Sequence, residues 1–201
     1  VPLRWKEPRR IFVNSTSDLF HEKLPDEAID RVFAVMVLCP QHTFQILTKR
    51  PERMREYLSS PRTVRAVYEL VCDVVLERDL NFVLIAPGVD PANAPVGLRI
   101  FLDRWPLPNV WLGTSCEDQK TADERIPHLL ETPAAIRFLS CEPMLGLINL
   151  DEIPTLNGLT SDVLAPECWG DCACDDAWGR DAGCRRHGGD GNLHRRINWV
   201  I

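Results

Sequence analysis

Four short polar clusters, each directly behind an apolar run, hold the side chains of this 201-residue chain best suited to chemistry. They are Asn14, Ser15, Ser17 and Asp18; Thr48, Lys49 and Arg50; Thr114, Ser115, Cys116 and Glu117; and Ser140, Cys141 and Glu142. Together they offer carboxylates, one or two cations and several hydroxyls, a set that suits a polar, charged small-molecule group. Singly, each has a plainer role: Asp18 caps a turn, Lys49 and Arg50 are surface charges ahead of a helix, and Cys141 is a small core residue. Glu142 stands out, because a carboxylate between a core strand and Pro143 is poorly placed for solubility alone. Glu142 and Lys49 are the expected catalytic residues, with Asn14, Ser15, Thr48, Thr114 and Ser140 expected to bind a cofactor.

A second kind of chemistry is suggested between Ala165 and Arg196, where Cys168, Cys172, Cys174 and Cys184 are followed by His187 and His194. Thiolates and imidazole suit tetrahedral zinc, and a metal would hold a glycine-rich stretch that has no apolar core of its own. The spacing C-x3-C-x-C-x9-C-x2-H is not the paired C-x2-C form, so a plain loop with reduced thiols is the alternative. Any four of Cys168, Cys172, Cys174, Cys184 and His187 would close a zinc site. A Ser/His/Asp or Cys/His triad is not indicated: His42 falls at a strand start and His128 inside a helix. Neither a G-x-G-x-x-G nor a P-loop pattern occurs, which disfavours a Rossmann dehydrogenase and a P-loop nucleotidase.

The elements that must position these groups follow from periodicity. Arg10-Ile-Phe-Val-Asn14 reads as a buried strand running into a polar loop. Pro25-Asp26-Glu27 opens a helix with Ile29, Val32, Phe33 and Met36 on one stripe, ending at Cys39-Pro40. Thr43–Leu47 is the second strand, and Pro51 opens a helix burying Met54, Tyr57 and Leu58. Pro61 starts another helix; Asn81–Ile85 reads as a strand and Leu98–Trp105 as a short helix. Further strands are expected at 109–113, 136–140 and 197–201, with a helix near Thr121–Leu130 that Pro127 bends or divides. Strand–helix alternation is the grammar of a parallel sheet. The expected fold is therefore α/β: a partial (β/α) barrel over 1–153, a Cys/Gly-rich insert over 154–196 and a returning barrel strand at 197–201. In such folds ligands bind at the carboxyl ends of the strands. Asn14, Lys49, Thr114, Ser140 and Glu142 are accordingly expected to converge at one mouth.

Composition bounds the function. Hydrophobic residues make up 45% and charged residues 26%, a globular balance, and no apolar run approaches the ~20 residues that span a bilayer. No apolar signal core opens the chain, so a cytoplasmic protein without a membrane partner is expected. The net charge of −6 weighs against a general nucleic-acid coat, while leaving room for a local basic patch such as Arg4/Lys6/Arg9/Arg10. The absent initiator Met and a core strand as the last element suggest a fragment.

Four stretches belong together: Arg9-Arg-Ile-Phe-Val-Asn-Ser15, Phe44-Gln-Ile-Leu-Thr-Lys-Arg-Pro-Glu-Arg-Met54, Asn109-Val-Trp-Leu-Gly-Thr-Ser115 and Phe138-Leu-Ser-Cys-Glu-Pro143. They resemble a family of uncharacterised phage and bacterial proteins whose full-length members begin with a three-cysteine motif like that of radical S-adenosylmethionine (SAM) enzymes. The match covers about residues 1–150 and resumes at Ile197. The resemblance implies a [4Fe–4S] cluster and SAM in the full-length protein, generating a 5′-deoxyadenosyl radical. This chain departs from that pattern, since its first cysteine is Cys39 and it has no early triplet. Two readings follow. One is a radical-SAM-like enzyme acting on a small-molecule, nucleic-acid or protein substrate, this fragment being inactive. The other is a non-catalytic, zinc-containing phage module that binds nucleic acid or a protein partner.

Overall fold

The computed structural model describes residues 2–77, 82–85, 98–101, 105–164 and 196–201. The elements are β1 (Arg10–Val13), α1 (Asp26–Val37), β2 (Thr43–Thr48), α2 (Pro51–Ser59), α3 (Pro61–Glu77), β3 (Phe82–Ile85), β4 (Leu98–Phe101), β5 (Val110–Ser115), α4 (Gln119–Glu131), β6 (Ile136–Ser140), β7 (Ile153–Pro154), β8 (Thr160–Ser161) and β9 (Trp199–Val200). Five strands form one sheet in the order β1-β2-β5-β6-β9, every neighbouring pair parallel. The strands expected at residues 10–14, 43–48, 109–113, 136–140 and 197–201 are these five. Among the described residues the sheet is open and no closed barrel is formed.

Two expectations need correction. Leu98–Phe101 is a strand, paired in parallel with Phe82–Ile85 in a separate two-stranded sheet. A short run such as Leu-Arg-Ile-Phe carries too few residues for periodicity to separate helix from strand. Pro127 does not divide α4, which runs unbroken from Gln119 to Glu131.

Each helix starts where local chemistry favours it. Pro25 precedes α1 in extended conformation, and Asp26 and Glu27 occupy its first turn, facing the positive end of the helix dipole. Pro51 stands at the first position of α2, where its missing N–H costs nothing. A capping box opens α4: the Asp118 carboxylate accepts from the Thr121 amide, and the Thr121 hydroxyl accepts from the Asp118 amide. Tyr57 Oη and Arg62 Nη1 both donate to the buried Asp30 carboxylate, at 2.7 and 2.9–3.0 Å, and so tie together α1, α2 and α3. Burial and this bond to Asp30 push the Tyr57 hydroxyl pKa well up.

Residue alternation divides the sheet sharply. Ile11, Val13, Phe44, Ile46, Val110, Leu112 and Leu139 point to one side and join a single core with the apolar stripes of all four helices. The small hairpin β7–β8 is antiparallel, and Ile153 and Val163 beside it enter the same core. The opposite side carries Phe12, Gln45, Trp111 and Phe138, none of which belongs to that core. On this side Gly113 lies directly under the Phe138 ring, so close that an added Cβ would fall 2.5–2.7 Å from three ring atoms. At the amino-terminal end the Asn109 amide donates to the carbonyls of Met36, Cys39 and His42, joining the end of α1 to β5. Among the described residues, no helix is long and apolar enough to cross a membrane.

Candidate functional site

At the carboxyl end of β1, Asn14 turns the chain with a left-handed φ of 57°, a conformation that asparagine tolerates better than most residues. The loop behind it delivers Asp18, whose two oxygens accept four hydrogen bonds. Oδ1 accepts from the Phe20 amide (2.9 Å) and the Thr48 hydroxyl (2.7 Å); Oδ2 accepts from the Lys49 amide and Arg50 Nη1, both at 3.0 Å. Burial opposes its ionisation, yet the bonds from Thr48, Lys49, Phe20 and Arg50 together hold its pKa below the ordinary value. Asp18 thereby fixes the carboxyl end of β2 against the loop of β1. Arg50 in turn donates Nε to Glu22 at 2.6 Å, while Thr48 Oγ1 accepts from the Arg50 amide.

The neighbouring strand contributes a second charged group. Lys49 Nζ is ion-paired with Glu117 Oε1, and Arg125, reaching back from α4, donates to Glu117 Oε2 at 2.9 Å and to the Ser115 carbonyl at 2.8 Å. Glu117 is nearly buried, whereas Lys49 is more than half exposed, so the pair has a dry side and a wet side. Burial raises the Glu117 pKa, but Lys49 and Arg125 outweigh it and the net shift is downward. Three carboxylates (Asp18, Glu22, Glu117) thus meet three cations (Lys49, Arg50, Arg125) across the β1, β2 and β5 ends. A charge-balanced lip of this kind suits a zwitterionic or polar ligand that can exchange for the internal pairs.

The expected residues fall into three groups. Lys49 is at the centre of the lip, and Asn14 and Ser15 are exposed on the neighbouring strand end. Thr48 and Thr114 are buried and joined to each other, the Thr114 hydroxyl donating to the Thr48 carbonyl at 2.8 Å, which locks β2 to β5 beneath the lip. Ser140 is half-buried and in register with Ser115. Glu142 lies at the β6 end, exposed, and makes no ion pair among the described residues; the carboxylate that meets Lys49 is Glu117. Asp18, Arg50, Glu117 and Arg125 complete the cluster beyond the expected set. Position behind a strand was a signal for the first three. Arg125 carried none, since it returns to the site only because α4 folds back over β5.

Cys168, Cys172, Cys174, Cys184 and His187 lie outside the described residues. Among the described residues no group of His, Cys, Asp and Glu could hold a metal ion. Cys116 and Cys141, at the ends of β5 and β6, are buried thiols; burial pushes Cys116 up to about 12 and Cys141 in the same direction, so both stay protonated near neutrality. The third buried thiol, Cys39, sits behind α1, ahead of the β2 start.

A scan of family models matches one family over residues 1–201, described as a protein of unknown function (DUF5131), and the chain belongs to it. No curated protein and no solved structure matches.

Proposed function

We propose that this DUF5131 chain is the α/β body of a radical-SAM-like enzyme, its sheet the wall of a partial (β/α) barrel and its carboxyl-end lip the seat of the SAM amino-acid tail. One observation carries the reading. Among the described residues, the four helices share one core on a single face of the parallel five-stranded sheet, whereas doubly wound sheets cover both faces. Helices outside, open face inside and charged groups at the strand carboxyl ends is the arrangement of a barrel wall. The likeness of the strand-end stretches to proteins with a three-cysteine motif supplies the SAM part.

The residues present fit the tail of SAM. Lys49 offers a cation for its carboxylate and Glu117 an acceptor for its ammonium group, with Asn14, Ser15 and Ser140 at the rim as hydrogen-bonding partners. Since Lys49 and Glu117 are paired with each other here, a zwitterion exchanges one matched pair for another and leaves no charge uncompensated. Thr48, Thr114 and Asp18 act as positioning residues, holding the Lys49 backbone. Bound at a reduced cluster, SAM supplies a carbon radical. The described residues do not fit an iron–sulfur cluster, because their cysteines make no three-thiolate group.

Equilibrium dialysis of labelled SAM against this chain tests the lip: binding is expected, weakened at least tenfold in Lys49→Ala. Anaerobic iron–sulfur reconstitution of protein from the complete reading frame, followed by assay for 5′-deoxyadenosine, tests the chemistry. No SAM binding and no iron uptake would overturn the enzyme reading in favour of a zinc-containing binding module for nucleic acid or a protein.

A further inference from the structure

The open face of the sheet carries large aromatic groups that the core does not use. Phe12 on β1 is 47% exposed and Trp199 on β9 is 53% exposed. Trp111 on β5 stacks on Trp199, ring centroids 6.0 Å apart and planes 30° from parallel. Cross-strand register aligns Phe12, Gln45 and Trp111 in one row, and Phe138 beside Trp199 in the next. Phe138 is buried at 2% exposure, so the accessible rings make two platforms, Phe12 and the Trp111–Trp199 pair.

Two polar groups on the same face have no partner among the described residues. Gln45 is half-buried between Phe12 and Trp111, and its side-chain amide makes no hydrogen bond among the described residues. An amide offering two donors and an acceptor beside aromatic planes matches the edge of a nucleobase. Arg10 precedes Phe12 by two positions on β1, so it lies on the same face about 7 Å away along the strand. It is exposed and meets no carboxylate among the described residues. Ring, amide and guanidinium correspond to the base face, base edge and phosphate of a nucleotide. Two platforms in sequence favour a strand over a single nucleotide.

We infer that this face binds single-stranded nucleic acid, with bases stacked on Trp199, Trp111 and Phe12, Gln45 reading a base edge and Arg10 contacting a phosphate. The surface is local, which reconciles it with the net charge of −6. Binding then rests on stacking more than on counterion release, so its salt dependence is shallow. The inference names the substrate class that the barrel-wall reading leaves open, yet it rests on the sheet face alone and needs neither SAM nor a cluster.

The test is fluorescence anisotropy of the whole chain with a labelled mixed-sequence single-stranded oligonucleotide, its duplex and a labelled mononucleotide. The single strand is expected to bind and to quench tryptophan emission, with the duplex and mononucleotide at least tenfold weaker. Trp199→Ala should weaken binding roughly 5- to 150-fold, the range for one lost base stack. Arg10→Ala should lower the salt slope by about one. Gln45→Leu should flatten base preference without changing that slope. Phe12→Ala provides a second exposed site whose loss leaves the core intact, and circular dichroism checks the fold of each variant. Absence of single-strand binding, equal duplex affinity, preference for the mononucleotide, or Trp199→Ala and Phe12→Ala variants that both bind normally would overturn the inference. None of those results would bear on SAM binding at Lys49 and Glu117.

Discussion

Replacing Asp18 by Asn probes the bond network that fixes the lip, and the structure gives its cost. The carboxylate accepts from two donors on each oxygen, and its side chain is 15% exposed. An amide must put NH2 in place of one oxygen. Facing the Lys49 amide and Arg50, NH2 would confront two donors. Facing Phe20 and Thr48 is better, because the Thr48 hydroxyl can rotate to accept, and only the Phe20 N–H is stranded. That lost bond costs about 1–3 kcal/mol, and the interaction with Arg50 falls from charge-assisted to ordinary strength, roughly 1 kcal/mol more. Partial exposure favours the lower end, so Asp18→Asn should destabilise by about 2–3 kcal/mol. That is roughly 5–10 °C in Tm for a chain of this size.

Urea unfolding followed by circular dichroism measures this difference, and its pH dependence identifies the charge as the cause. The folded-state pKa of Asp18 lies below its ordinary value of 3.8. The charge's contribution is therefore fully present above that value and drains away as pH falls through the folded pKa. The gap between wild type and Asp18→Asn should hold constant from pH 7 to about pH 5 and narrow below about pH 4. A difference under about 0.5 kcal/mol at pH 7, or one unchanged at pH 3, would refute the reasoning.

Glu117→Gln should cost about 1–2 kcal/mol at pH 7 in the same assay, and because its pKa is also lowered, that cost too should shrink in acid. Gly113→Ala forces a Cβ into the Phe138 ring and should destabilise by about 1–3 kcal/mol; Phe138→Leu in the same chain should restore most of it, and a harmless single variant would contradict the close packing. Tyr57→Phe removes one of the donors to buried Asp30 while Arg62 remains, so thermal unfolding should show a loss of about 1–2 kcal/mol, and no loss would mean that Arg62 alone satisfies the carboxylate.

The existence and parallel direction of the main strands were legible because apolar runs of five or six residues, punctuated by Pro25 and Pro51, admit few alternatives. Their order was not: β3 and β4 pair apart from the main sheet, which makes β5 the neighbour of β2. The general location of the polar lip was legible too, since a parallel sheet sends every strand's carboxyl end to one pole. Tertiary structure decided the partners. Sequence position ranked Glu142 above Glu117 on the strength of an adjacent proline, but an ion pair depends on which strand lies beside β2. The sheet order puts β5 there, so Glu117 meets Lys49 and Glu142 stays exposed at the β6 end. Asp30 depended on helix packing, which brings Tyr57 and Arg62 to it from 27 and 32 positions away, and Arg125 depended on α4 turning back over the β5 end, so neither leaves a local pattern. The exposed aromatic face was hidden for a related reason. Phe12, Trp111 and Trp199 each look like core residues in their own segments, and only the confinement of all four helices to the opposite side leaves them facing outward.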